Sequence, residues 1–160
     1  PILTVDGERL FNDSAFGQRI AREFDRRRAD LVAEGLIIQS ELEEEERQLV
    51  EKRKTLPAED FRKLADAFDA KVQKIRAEQD EKAQKLNVTG DDDQLSFLRA
   101  AQPIFEQIIT EHGAVVILDQ RNIFLRIDQV DITDEAIRRI DEAIGEGKPI
   151  VQPEDAPVKP

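Results

Sequence analysis

The sequence predicts an α+β fold, mostly α. A long antiparallel helical hairpin, a coiled-coil tentacle, projects from a small β body made by strands from both chain ends. The assembly is expected to be a trimer. Three observations point there. Pro57 is the only proline between Ile2 and Gln102, and charged, helix-favouring sequence runs for some forty residues on either side of it. Apolar residues within those stretches recur seven apart, as in a coiled-coil seam. The β-prone runs stand only near the two ends of the chain, at Ile2–Val5 and from Ala114 onward.

Composition narrows the function classes. Of 160 residues, 37% are charged and 5% aromatic, with no Cys, Met, Trp or Tyr. That suits long helices burying narrow stripes better than a thick globular core. A net charge of −11 argues against nucleic acid as the main partner, because phosphate binding needs a basic surface. It equally disfavours simple electrostatic attachment to an anionic membrane. No run approaches the roughly 18–20 apolar residues of a membrane span. The chain starts at Pro1 without Met or a signal peptide, and a removed leader is the expectation.

Taken in order, Ile2-Leu-Thr-Val5 is a short strand ended by Asp6-Gly7, and it must pair with strands elsewhere. Helical spacing starts near Glu8. Phe24, Leu31 and Ile38 form one row and Leu42, Leu49 and Leu56 the next, with Gly35 and Glu45 interrupting the seam. Glycine inside a helix costs about 0.5–1 kcal/mol against alanine, which predicts a soft spot at Gly35. Thr55–Ala58 is read as the hairpin tip, since proline suits a first helical turn and Glu59 and Asp60 suit the positive end of the helix dipole. The return arm repeats the period through Phe61, Phe68 and Ile75, with Ala65, Val72, Gln79 and Leu86 as the second row.

Asn87–Asp93 contains Gly90 and several cap-favouring residues, so the return helix either pauses there or passes through with a distortion; a pause or kink is favoured. Helical spacing resumes from Leu95, with Pro103 predicting a kink, and ends at Glu111-His112-Gly113. Gly113 suits a left-handed cap. Ala114–Leu118 and Ile123–Ile127, joined by Asp119–Asn122, read as a β-hairpin. Thr133 is the expected N-cap of a last helix that Gly145 and Gly147 stop, and Lys148–Pro160 reads as a disordered tail. The expected division is thus a body of residues 1–11 and 113–147, a hairpin of 12–112 and a tail of 148–160.

Three short strands and one short helix make a small core. Unpaired sheet edges invite pairing between copies. An obligate oligomer follows, with Leu3, Val5, Val115, Ile117, Ile123 and Leu125 in its body. No enzyme is expected. One histidine and no cysteine allow no catalytic triad, and His112 reads as a helix-end cation. The glycines are scattered, Asp91–Asp93 lacks the spacing of a calcium loop, and no metal or cofactor is implied.

The chain resembles the OmpH/Skp family of periplasmic chaperones. The resemblance rests on order: Ile2-Leu-Thr-Val-Asp6 with Arg9-Leu-Phe11, the charged hairpin, Ala114–Asp119, then Val130–Ile137. It implies a trimer that holds unfolded outer-membrane proteins between its helical arms without ATP, in the periplasm, after loss of a secretory signal. It departs from the best-known members in being acidic rather than basic. Client contacts are expected from apolar residues spare to the seam, namely Leu36, Ile37, Val50, Phe61 and Leu64, which alternatively only widen the helix–helix contact. Arg47, Lys52, Arg53, Lys54, Arg62 and Lys63 make a basic tip for transient contact with a membrane surface or acidic client loops. Arg19, Arg22 and Arg26–Arg28 form a second basic zone, and Glu41 and Glu43–Glu46 an acidic band braced by pairs such as Glu43–Arg47. Two other readings compete. One is a structural coiled-coil spacer that binds a folded partner through the tips. The other is a prefoldin-like chaperone, whose strands lie between its helices rather than flanking them.

Overall fold

A computed structural model describes residues 1–147. The chain runs β1 (Ile2–Val5), α1 (Gly7–Asp13), α2 (Ala15–Arg53), α3 (Ala58–Glu111), β2 (Val116–Asp119) and α4 (Thr133–Ala143), with 3-10 turns at Gln120–Asn122 and Asp128–Val130. The expected tail at 148–160 lies outside the described residues. The chain divides into two compact units, one of Pro1–Glu23 with the chain from Gly90 onward, the other of Phe24–Thr89.

The first unit carries the core. β1 pairs in parallel with β2, Ile2 opposite Val116 and Val5 opposite Asp119, and Thr4 also bridges in parallel to Asp131. Leu3 and Val5 are buried against Leu10, Phe97, Ile108, Ile132 and Ile140, so helices rather than a sheet supply most of the apolar packing. The ring of Phe97, 1% exposed, meets Phe11 edge-on and Phe16 at a tilt, each with centroids 5.5 Å apart. The helical pattern read from Glu8 is in fact two helices. Ser14 breaks it with an extended backbone and caps α2: its hydroxyl accepts from the Gly17 amide at 3.2 Å. Asp141 on α4 accepts from the Ala15 amide at 2.8 Å, satisfying a second donor that a helix start leaves orphaned.

Several expectations are corrected here. The predicted β-hairpin does not form: Gln120–Asn122 is a 3-10 turn, capped by Asp119 accepting from the Arg121 amide, and it directs Ile123–Ile127 away from β2. The sheet therefore has two strands, and among the described residues the outer edge of β2 has no partner. Nor does Asn87–Asp93 interrupt α3, which is continuous from Ala58 to Glu111 through both Gly90 and Pro103. The Thr89 hydroxyl donates to the Lys85 carbonyl at 2.9 Å, so the polar side chain is satisfied within the helix. Thr133 is the first residue of α4 rather than its cap. Gly113 does take the left-handed conformation, at φ 60°, and ends α3 as expected.

Thr133 instead joins a small polar network. Its hydroxyl accepts from the Asp6 amide at 2.9 Å and donates to Asp131 at 2.6 Å, while its amide donates to the same carboxylate at 2.9 Å. Arg126 adds a contact to Asp131 at 3.0 Å. Burial opposes the charge of Asp131, but the Thr133 hydrogen bonds outweigh it, with help from Gln120 and Arg126, and the carboxyl is held below its ordinary range. A depressed folded-state value contributes stability above the unfolded value of about 3.9 that disappears as pH falls through the folded value. Asp131→Ala should therefore cost about 1–2 kcal/mol at pH 7 and visibly less at pH 3, read as the urea-midpoint difference from the parent at each pH.

Candidate functional site

The second unit is a pair of antiparallel helical segments meeting at a tip, where α2 ends at Arg53 and α3 starts at Ala58. The Pro57 carbonyl accepts from the Phe61 amide at 3.0 Å, so the proline sits where its missing amide hydrogen costs nothing. The predicted seam is present: Phe24, Leu31, Ile38, Leu42, Leu49 and Leu56 are half-buried, as are Phe61, Ala65, Phe68, Val72, Ile75, Gln79 and Leu86. No residue between Phe24 and Thr89 is fully buried. Glu45, an interruption by sequence, pairs across the arms with Lys71 at 2.8 Å, and Glu34 pairs with Lys82. These pairs are largely solvent-exposed and fix register more than they add stability.

The expected contact residues separate. Leu36, Ile37, Val50 and Leu64 are exposed, at 64%, 61%, 54% and 39%, and Val32 joins them at 59%. Phe61 is half-buried in the seam row, with the Arg53 guanidinium 5.9 Å from its ring centroid. On the tip, Lys52, Arg62 and Lys63 have no ion pair among the described residues, whereas Lys54 pairs with Glu51 at 3.0 Å and Arg47 with Glu44 at 2.5 Å. The expected Glu43–Arg47 pair is thus replaced; Glu43 accepts from Gln39 instead, at 3.0 Å. Arg19 does not belong to a surface basic zone. It is 6% exposed, lies 5.0 Å over the Phe16 ring and pairs with Glu23 at 3.0 Å.

The first unit leaves a second apolar surface uncovered. Leu3 and Val5 are buried and Ile117 and Ile123 half-buried, but Val115 is 80% exposed and Leu125 85%. Phe124 at 105% and Ile127 at 63%, which were not among the expected body residues, lie on the same stretch as Leu125. A short apolar run after a polar turn signalled a strand, and the backbone is extended at Ile123 (φ −116°, ψ 124°) and Ile127 (φ −101°, ψ 150°), with a bend at Phe124 and no partner strand among the described residues.

Titratable clusters offer little chemistry. His112 Nε2 lies 3.0 Å from Glu135, and Arg139 ties Glu135, at 2.6 Å, to Glu111. The hydrogen bond from Arg139 holds the Glu111 carboxyl below its ordinary range. This is an ion cluster joining the end of α3 to α4. Among the described residues no group of three or more His, Cys, Asp or Glu is placed to hold a metal ion, and no helix is long and apolar enough to cross a membrane.

Comparison with known proteins agrees with this architecture. Over 94% of its length the chain superposes with a TM-score of 0.86 on 89% of an OmpH-like outer membrane chaperone candidate from Caulobacter crescentus CB15, whose crystal structure is known. Identity is 16%, so that likeness speaks for the fold alone. No curated protein matches the chain. The OmpH-like outer membrane protein family matches residues 1–140, and the chain belongs to that family.

Proposed function

We propose that the protein is an ATP-independent periplasmic holdase, a homotrimer that binds unfolded outer-membrane proteins in a cavity between its helical arms and prevents their aggregation. Membership of a chaperone family supports the class of function. The observation that carries the mechanism is the arm itself: between Phe24 and Thr89 nothing is fully buried, and Val32, Leu36, Ile37, Val50 and Leu64 face solvent with no role in the seam. Such a surface suits many weak contacts with a chain that exposes apolar faces and strand edges. Holding that unfolded form delays its folding and aggregation by mass action, with no chemical step. The uncovered stretch Phe124–Ile127 and the open edge of β2 supply the contacts between copies. Lys52, Arg53, Arg62 and Lys63 offer positive charge on the tip for brief contact with an anionic membrane surface.

The test dilutes a urea-unfolded outer-membrane porin into buffer with and without the protein, following turbidity and light-scattering mass. The expected result is suppression near one trimer per porin, with a complex of that mass. Unchanged turbidity at several-fold excess would overturn the holdase and favour a spacer that binds a folded partner. In a parallel arm, neutralising Lys52, Arg53, Lys54 and Lys63 together should weaken binding to anionic liposomes at low salt. Unchanged binding there removes the membrane contact alone.

A further inference from the structure

On the second unit, the seam has one level at which its knobs fail to fill its holes. Gly35 stands in the α2 row, and a Cβ built there meets nothing within 4 Å. Polar Gln79 stands in the α3 row on the same groove, about one turn along. What remains is a groove of about 490 Å³ between the two helices, with Ile38, Leu42, Phe68, Val72 and Ile75, all half-buried, along its lining. That volume lies within the roughly 300–1,000 Å³ of pockets that seat a small organic group. Charge at the mouth is one-sided. Glu43, Glu46 and Asp80 face a single cation, Arg76, and neither Glu46 nor Asp80 is ion-paired among the described residues.

We infer that this groove is a side-chain subsite of the arm, which takes one large apolar residue of an unfolded polypeptide, aromatic or leucine-like, that stands next to a lysine or arginine. The inference deepens the holdase reading and rests on it for the class of client. The apolar lining removes the side chain from water, and the net negative rim selects the flanking cation. An open groove binds weakly, as a holdase requires of each of its many contacts. The glycine makes the site: helix propensity alone would favour alanine at that position, and nothing in the packing forbids it.

The experiment uses the full chain, methyl-labelled, titrated with two short unstructured peptides that carry one phenylalanine flanked by either two lysines or two glutamates. Expected are methyl shifts at Ile38, Leu42, Val72 and Ile75, with the lysine-flanked peptide binding at least about three-fold tighter at low salt and the preference closing in about 0.5 M salt. Gly35→Leu, which puts a side chain into the groove, should abolish those shifts; Gly35→Ala, which leaves room, should keep them. Glu46→Lys with Asp80→Lys should reverse the peptide preference. Absence of shifts at these methyls, equal binding of both peptides, or full binding by Gly35→Leu would overturn the subsite. So would concentration-dependent shifts without peptide, which would mean that a second copy's arm fills the groove. Porin turbidity reads the holdase separately, so a protein that suppresses aggregation yet ignores the peptides loses only this inference.

Discussion

Gly17→Ala should unfold or grossly loosen the first unit, with a loss of about 3 kcal/mol or more in urea unfolding and a large fall in soluble yield. A Cβ at Gly17 would lie 1.7 Å from the Phe11 carbonyl oxygen and 2.6 Å from its carbon. Both atoms are backbone, so no rotamer change relieves the collision. The chain bends between α1 and α2 at Ser14, and Gly17 is where the second helix comes against the backbone at the end of the first. Moving them apart would pull Phe11 and Phe16 off Phe97 and break the Ser14 hydroxyl contact to the Gly17 amide. Gly113→Ala is the calibrating variant. Gly113 has φ 60° but open space around its Cβ, so alanine there should cost only about 1–2 kcal/mol of backbone strain. If the two substitutions cost the same, the close approach at Phe11 is not what sets the fold of this unit.

Nothing in the helical periodicity announced that break. Leu10 and Phe11 before it and Phe16 and Ile20 after it read as one apolar series, and apolar spacing reports which face is buried, not where the axis turns. The signal that was there is Asn12-Asp13-Ser14, a run of cap-forming side chains just before Gly17. The opposite error occurred at Asn87–Asp93, where cap-forming residues suggested a break and the helix continues. A glycine inside a helix costs only about 1 kcal/mol, and the unbroken seam on one side with Phe97, Ala101 and Ile104 in the core on the other outweighs it. The hairpin tip and seam were legible because they depend on local pattern alone: proline chemistry at Pro57 and a sustained seven-residue repeat. Candidate contacts followed from the same repeat, since Leu36, Ile37, Val50 and Leu64 lie off its rows and prove exposed. Phe61 sits on a row and proves half-buried. Gly35 was legible as an interruption of the seam but not as the wall of a groove, because that needs the register of the facing helix. Lys71 with Glu45 and Lys82 with Glu34 supply this register only once the arms lie side by side.

Phe124→Asp combined with Leu125→Asp should convert the proposed trimer to single chains in light scattering at micromolar concentration and abolish porin protection, while far-UV helicity stays nearly unchanged. At exposures of 105% and 85% these side chains touch almost nothing in their own chain, so their replacement removes little internal packing. Ile123–Ile127 has four apolar residues in five and extended backbone at both ends, with a bend at Phe124. Yet it follows β2 through the Gln120–Asn122 turn and pairs with no strand among the described residues, while β2 pairs on one edge only, with β1. Strand propensity in the sequence therefore matches the extended backbone at the two ends of this run and says nothing about what the run packs against. Burying two large apolar side chains is worth about 1.5–3 kcal/mol each, and bringing two unpaired carboxylates into the same place adds a desolvation penalty of the opposite sign. Each subunit contact should thus weaken by several orders of magnitude, since every 1.4 kcal/mol is a factor of ten. Phe124→Leu, which keeps apolar area, should leave the mass unchanged. An assembly that survives the double aspartate variant at full mass would place the subunit contacts elsewhere on the molecule, and the apolar stretch would then need a different partner.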